Sequence, residues 1–263
     1  MIEALVTNIR LFLLVFFRII AMVEVAPLLS STAIPQVAKI GLSFFAAATV
    51  FPWVLESRYP IPPNGVDYFL LVLGEVAIGL LLGFLLLLIF TAFQVAGQFF
   101  SLQMGFGASE VFDPMSQIEI PLMGEFLNLI ALLVFIAISG TGKFLLVGIG
   151  RSFQYLRAVD LVTHKESIVQ MLVGGLGGLF ESALTISFPI LGTLILVSIT
   201  MGLLAKASPQ MDVLSMGFPL SIGVSLILLF ATLPLLMTAF GRIIDGGFDA
   251  IGRFIIGVGA LKR

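Results

Sequence analysis

Apolar residues in this chain come in long runs, not in the three-or-four-residue rhythm of a helix with one wet face. Six runs stand out, at about 11–29, 37–55, 68–96, 126–149, 172–204 and 213–240. Each is near or beyond the roughly 20 residues that carry a helix across a bilayer. Pro27 is expected to break the first run and Pro52 the second. Tyr59-Pro60-Ile61-Pro62-Pro63-Asn64-Gly65 reads as a stiff turn that no helix crosses. The pattern after the last run changes. From Arg242 to Val258, Ile244, Phe248, Ile251, Ile255 and Val258 form an apolar stripe, with Arg242, Asp245, Asp249 and Arg253 opposite and Asp249 and Arg253 spaced for an i,i+4 pair. This predicts an amphipathic tail helix, and its four glycines favour docking over independent stability.

Two polar interruptions fall between apolar runs. The first is Met104-Gly105-Phe106-Gly107-Ala108-Ser109-Glu110-Val111-Phe112-Asp113-Pro114-Met115-Ser116-Gln117. Gly105 and Gly107 free the backbone for positive φ or close approach, and Asp113-Pro114 stops a helix and favours a turn, so a loop of defined shape should present Met104, Phe106, Phe112 and Met115. The second runs through Pro209-Gln210-Met211-Asp212 to Gly217-Phe218-Pro219, where Pro209 and the Gly-Phe-Pro triplet are expected to interrupt an apolar hairpin. Irregular backbone at membrane depth is tolerated only where protein buries it or it lines a cavity. Glycines also punctuate the runs, at Gly74, Gly79 and Gly83 in the third and through Gly174-Gly175-Leu176-Gly177-Gly178 in the fifth; close helix packing is their simplest use.

Composition strengthens the membrane reading. Hydrophobic residues make up 59% of the 263 and charged ones 11%, against about 25% charged in soluble domains. The fold class is therefore all-α, built of polytopic membrane-type helical hairpins. The N-terminal run resembles a signal-peptide core, but Arg18 interrupts it and no convincing cleavage site follows, so it reads as a retained first helix. No cysteine and a single histidine, His164, leave almost no inventory for disulfides, thiol nucleophiles or Cys/His metal sites. No cofactor is called for, and no dense basic run suggests nucleic acid.

Charge then orients the chain. With six crossings, Arg10, Arg58, Arg151, Arg157, Lys165, Arg242, Arg253, Lys262 and Arg263 share one side, with Lys143 near it, and only Lys39 and Lys206 fall on the other. The positive-inside rule makes the first side cytoplasmic, with both termini there. The 97–125 loop then lies outside, carrying Glu110, Asp113, Glu119 and Glu125 without a Lys or Arg. Arg18, Glu24, Glu75, Lys143 and Glu181 interrupt apolar runs and each costs a few kcal/mol, about 2.5–3.5, if left in hydrocarbon. A structural ion pair is the favoured role, with a proton-coupling role left open. Glu75 sits early enough to reach the headgroups, and Glu181 on a run that could face another subunit.

At Gln103-Met104-Gly105-Phe106-Gly107 with Asp113-Pro114, and at Pro209-Gln210-Met211-Asp212-Val213 with Gly217-Phe218-Pro219-Leu220, the chain resembles the FliR/SctT family of type III secretion. Length, hydropathy and motif order match across essentially the whole chain. The resemblance implies a noncatalytic subunit of an export gate through which unfolded flagellar proteins leave the cytoplasm, in the bacterial inner membrane and flagellar basal body. It implies FliP-like and FliQ-like partners, with FlhB and FlhA as neighbours. Residues 1–170 would be a FliP-like four-helix part, and 171–263 a FliQ-like hairpin with the amphipathic tail. Most apolar segments would then face other subunits, so that six spans describe insertion and not final position.

By the same resemblance, the loop around 104–121 corresponds to the family's channel plug. Met104, Phe106, Phe112 and Met115 would form the seal, Gly105 and Gly107 the hinge, and Asp113-Pro114 the turn. Packing against neighbouring subunits is the alternative for the same residues. A rival from another class is a small-solute secondary transporter, with Phe188-Pro189 and Phe218-Pro219 as paired helix breaks; no matching break in the first half argues against it. No nucleophile, base and orienting group occur together, so an enzyme is disfavoured.

Overall fold

The computed structural model describes residues 2–27, 29–31, 34–56, 59–105, 122–208, 210 and 213–260. Among these every regular element is helical. The helices are α1 (Ile2–Val25), α2 (Gln36–Glu56), α3 (Gly65–Met104), α4 (Leu122–Ala137), α5 (Gly140–Lys143), a π-helical stretch (Phe144–Arg151), α6 (Ser152–Tyr155), α7 (Asp160–Thr163), α8 (Lys165–Ala207) and α9 (Val213–Ala260). Leu5–Val25, Gln36–Leu55, Gly65–Met104, Lys165–Ala207 and Met216–Val258 are long and apolar enough to cross a membrane.

Four expectations change. The run at 126–149 is not one unbroken helix: α4 stops at Ala137 and helical structure resumes at Gly140. Ser139 takes a left-handed φ of 57° in the break. Ser139-Gly140-Thr141-Gly142 is a string of weak helix formers, so breaking the helix there costs little. Pro52 does not end α2, and Gly217-Phe218-Pro219 does not interrupt α9, which runs through Pro219 and Pro234. A proline removes one hydrogen bond and crowds the preceding turn, at roughly 3 kcal/mol. The unbroken helices on either side absorb that cost in an environment that offers the backbone no other partners. The tail is not separate, because Arg242 to Val258 continues α9 as one 48-residue helix. Its five-residue stripe is buried as the spacing predicts, and Arg242, Asp249 and Arg253 are exposed. Finally, Gly174, Gly177 and Gly178 face open space, with no close neighbour in this chain.

The chain divides into two compact units, one of residues 1–89, 136–176 and 244–263 and one of 90–135 and 177–243. In the first, α1 meets α2 through Phe12, whose ring makes edge contacts with Phe44 at 5.3 Å and Phe51 at 5.7 Å. It meets α3 through Gly79 and Gly83. An added methyl at Gly79 would strike the Arg18 carbonyl, and one at Gly83 would lie 2.9 Å from the Met22 carbonyl. Gly74 leaves no room for a Cβ beside Ala158. The third-run glycines thus serve close packing. In the second unit, Phe90 packs on Phe135 at 5.5 Å and Phe93 on Phe240 at 4.4 Å.

Candidate functional site

The second unit brings the two sequence motifs together. α3 ends at Met104, whose side chain is buried, and the chain turns at Gly105 with φ 93° and a hydrogen bond from its N–H to the Leu102 carbonyl at 3.1 Å. That φ favours glycine on its own. A second constraint coincides with it: the Phe218 ring occupies the place a Cβ on Gly105 would take. Gly105 of the first motif and Phe218 of the second are therefore in direct contact. One residue earlier, Gln103 Nε2 donates to Ser198 Oγ of α8 at 3.2 Å.

The far root of the 106–121 segment is held as well. Gly97 of α3 lies against the backbone of Met123 and Gly124, and a Cβ on Gly124 would stand 2.7 Å from the Gln94 carbonyl. Gln94 Nε2 donates to Glu125 Oε1 at 2.8 Å. Both ends of the segment thus leave from fixed, glycine-tight contacts. Phe106, Gly107, Phe112, Asp113, Pro114 and Met115 lie outside the described residues, as do Pro209 and Met211 of the second motif. Gln210 is an exposed turn residue, Gly217 and Phe218 are half-buried near the start of α9, and Pro219 is exposed.

The first unit gathers the buried charges. Arg18 is 1% exposed and Glu75 0%. Arg18 Nε donates to Glu75 Oε2 at 2.5 Å, Nη1 to Ser152 Oγ at 3.1 Å and Nη2 to the Leu156 carbonyl at 3.0 Å; its guanidinium stacks 3.8 Å from the Phe153 ring centre. Tyr59 donates to the other Glu75 oxygen at 2.5 Å. Burial, and then the Glu75 carboxylate, push the Tyr59 phenol well above the usual tyrosine range, so it stays a protonated donor. Glu75 is therefore paired inside the protein, as expected of a charge in an apolar run. A carboxylate with two strong donors is better satisfied inside the protein than a lone charge is at its edge. Glu181, expected among the buried charges, is exposed on α8 in this chain. Lys39 pairs with Glu24 at 3.3 Å, and Lys143 pairs with Asp245 of α9.

Sequence reasoning missed several of these groups. Arg18 and Glu75 were visible as opposite charges in neighbouring apolar runs, which is a usable signal for pairing. Ser152, Phe153 and the Leu156 carbonyl carried none, because they lie more than 130 residues away on a segment whose direction depends on the break at Ser139. The cluster is an ion pair braced by hydrogen bonds. It joins α1, the 59–64 turn, α3 and α6 through an arginine whose Nε, Nη1 and Nη2 all donate.

A family profile described as "Bacterial export proteins, family 1" matches residues 9–247. The chain belongs to this family. Among curated relatives, the flagellar biosynthetic protein FliR of Bacillus subtilis (strain 168) is 31% identical over 250 residues, covering 94% of this chain and 95% of that protein. The FliR of Borreliella burgdorferi (strain ATCC 35210) is 32% identical over 245 residues, covering 92% and 89%. That of Escherichia coli (strain K12) is 27% identical over 221 residues, covering 83% and 82%. These matches leave the solute-transporter reading without support.

Proposed function

We propose that the chain is the FliR-type subunit of a flagellar type III export apparatus, a noncatalytic component that helps form and seal the channel for unfolded flagellar proteins. The observation that carries the site reading is the contact of Gly105 with Phe218, which brings the two family-like motifs to one place, at the root of the 106–121 segment. Family membership and the flagellar relatives supply the system.

In this reading the 104–121 loop is the plug. Met104, Phe106, Phe112 and Met115 seal, since methionine adapts its shape and phenylalanine excludes water. Gly105 and Gly107 supply the hinge, and Gln210 with Pro209 and Met211 closes the neighbouring hairpin. Residues 1–170 play the FliP-like part and 171–263 the FliQ-like part. FliP-like and FliQ-like subunits, FlhB and FlhA are the partners, in the inner membrane at the basal body. The charge asymmetry supports cytoplasmic termini.

The absence of native cysteine makes the test direct. Phe112→Cys, with Phe254→Cys as control, is assayed for disulfide crosslinking to a cysteine-bearing export substrate stalled in cells. The expected outcome is a crosslink at 112 and not at 254. No crosslink at 112, with export intact and the substrate shown to be stalled in the gate, moves the seal elsewhere and leaves the loop a packing element.

A further inference from the structure

We infer that the C-terminal end of α3, at residues 103–105, is a releasable clamp: α8 and α9 hold it while the gate is shut and let it go when a chain passes. The α3–α4 junction around Gly97 stays closed throughout. The inference rests on the export-channel reading above and adds to it which contact gives way. Every residue concerned belongs to the second compact unit.

The two junctions differ in what holds them. At Gly97 main chain meets main chain. Gly97 and Gly124 are both buried, and a methyl added to either would strike the backbone of the other helix, at Met123 in one case and at Gln94 in the other. A backbone contact of this kind has no rotamer to change, so it loosens only if a whole helix shifts. Beside it Gln94 Nε2 donates to the Glu125 carboxylate at 2.8 Å, a charge-assisted bond stronger than a neutral one, and Phe90 packs on Phe135 at 5.5 Å.

At the end of α3 the holding groups are side chains, and each can leave without stranding a partner. Gln103 and Ser198 are both exposed, and their 3.2 Å bond joins two neutral groups. Such a bond contributes little net where water replaces it. Ser198 Oγ also donates to the Leu194 carbonyl of its own helix at 3.0 Å, so the hydroxyl keeps that partner once Gln103 withdraws. The Phe218 ring is half-buried and rests on a glycine, where its departure breaks no polar bond. Met104 beside them is buried, and methionine is the apolar side chain that repacks most readily.

The helix that holds Gln103 is itself lightly packed within this chain. α8 buries Ile190, Leu194 and Met201 here, while Ile195, Leu196, Ile199 and Leu203 are exposed and Gly192 and Gly202 meet nothing within 4 Å. Gly105, at φ 93°, has no Cβ to bar other conformations, so the backbone can swing at that residue once the ring moves. Parts that move in function are drawn from the weakest contacts of a fold. Of the two junctions, the end of α3 is the weaker.

The test uses the chain's lack of cysteine. The full-length chain is expressed in flagellated cells of its own species with Gln103→Cys and Ser198→Cys, or with Gln94→Cys and Glu125→Cys. A short, reducible, thiol-specific crosslinker bridges each pair. Bridging is read by intact mass of the purified chain, and export by flagellar protein released into the medium. The expected result is near-complete loss of export on bridging 103 to 198, its return on reduction, and no change on bridging 94 to 125. A contact that only supports the fold is indifferent to being bridged. Export that continues through a formed 103–198 bridge, or arrest by both bridges alike, overturns the inference. If the 103/198 variant does not export even when reduced, Phe218 decides. Phe218→Ala should raise ion leakage through the assembled gate and Phe218→Leu should restore tightness; leakage unchanged in Phe218→Ala overturns the clamp. The substrate crosslink at position 112 separates the two readings: its absence, with arrest by the 103–198 bridge, overturns the plug and leaves the clamp standing.

Discussion

The two compact units share glycine-tight helix contacts and differ in charge. The first, 1–89 with 136–176 and 244–263, carries eleven of the chain's Lys and Arg against nine Asp and Glu; the second, 90–135 with 177–243, carries two against six. The first unit is organised around a buried, hydrogen-bonded ion pair. The second has aromatic contacts and helices brought together at Gly97, Gly105 and Gly124, and both sequence motifs lie in it. Added volume at a tight glycine, Gly79 in the first unit or Gly97 in the second, should therefore disrupt either unit, and the first should fail also when a charge is removed. The steric contacts at Gly97, Gly105 and Gly124 do not depend on the ionic state of a neighbour.

The largest expected effect is in the first unit. Glu75→Leu leaves Arg18 buried without its counter-charge and should cost about 3–5 kcal/mol, read as a fall in thermal stability of the purified protein in detergent. Arg18→Met with Glu75→Leu should recover most of that loss, since removing both charges also removes both desolvation costs. If the double variant is no better than the single one, the pair is not the organising feature.

Next comes the second unit. Gly97→Val forces a branched side chain against the backbone of Met123 and Gly124 and should cost about 2–3 kcal/mol by overpacking, while leaving the first unit's Arg18–Glu75 pair unaffected. Gly174→Ala is the control. It meets open space and should be neutral or stabilising, by up to about 1 kcal/mol, through helix propensity.

Tyr59→Phe should cost less than Glu75→Leu, about 1.5 kcal/mol for a hydrogen bond to a charged acceptor that keeps its Arg18 partner. It also carries a pH signature. The Tyr59 phenol is raised in the folded protein, so its contribution is complete below the ordinary tyrosine pKa of about 10 and is lost as pH climbs above it. Tyr59→Phe should flatten that alkaline decline. A decline as steep as wild type would assign the effect to other groups. Lys143→Ala is the smallest of the series: its pair with Asp245 is more than a third exposed and should be worth under about 1 kcal/mol, and less in high salt.

Much of this architecture was legible beforehand, and the misses share one cause. Apolar runs reported helices because a helix satisfies its own backbone, whatever surrounds it. The Arg242–Val258 stripe reported its buried face for the same local reason, and the Gly74, Gly79 and Gly83 spacing announced close packing. Pro52 and Pro219 misled because a proline's cost is local, whereas the decision to continue a helix is made by everything packed around it. Glu75 is ion-paired, as expected of a charge in an apolar run, but its place in the helix did not name Arg18 and Tyr59 as the partners.

Sequence alone thus determined the all-helical class, the long apolar helices and the positions of the two motifs, and the resemblance of those motifs pointed to the family. Only the tertiary structure decided that Phe218 stands over Gly105, that Ser152 and the Leu156 carbonyl complete the Arg18 cluster, and that Lys39 turns inward while Phe45 turns out. Each of those depends on segments far apart in the chain meeting at a particular angle. A break such as the one at Ser139 sets that angle, and hydrophobic periodicity carries no information about it.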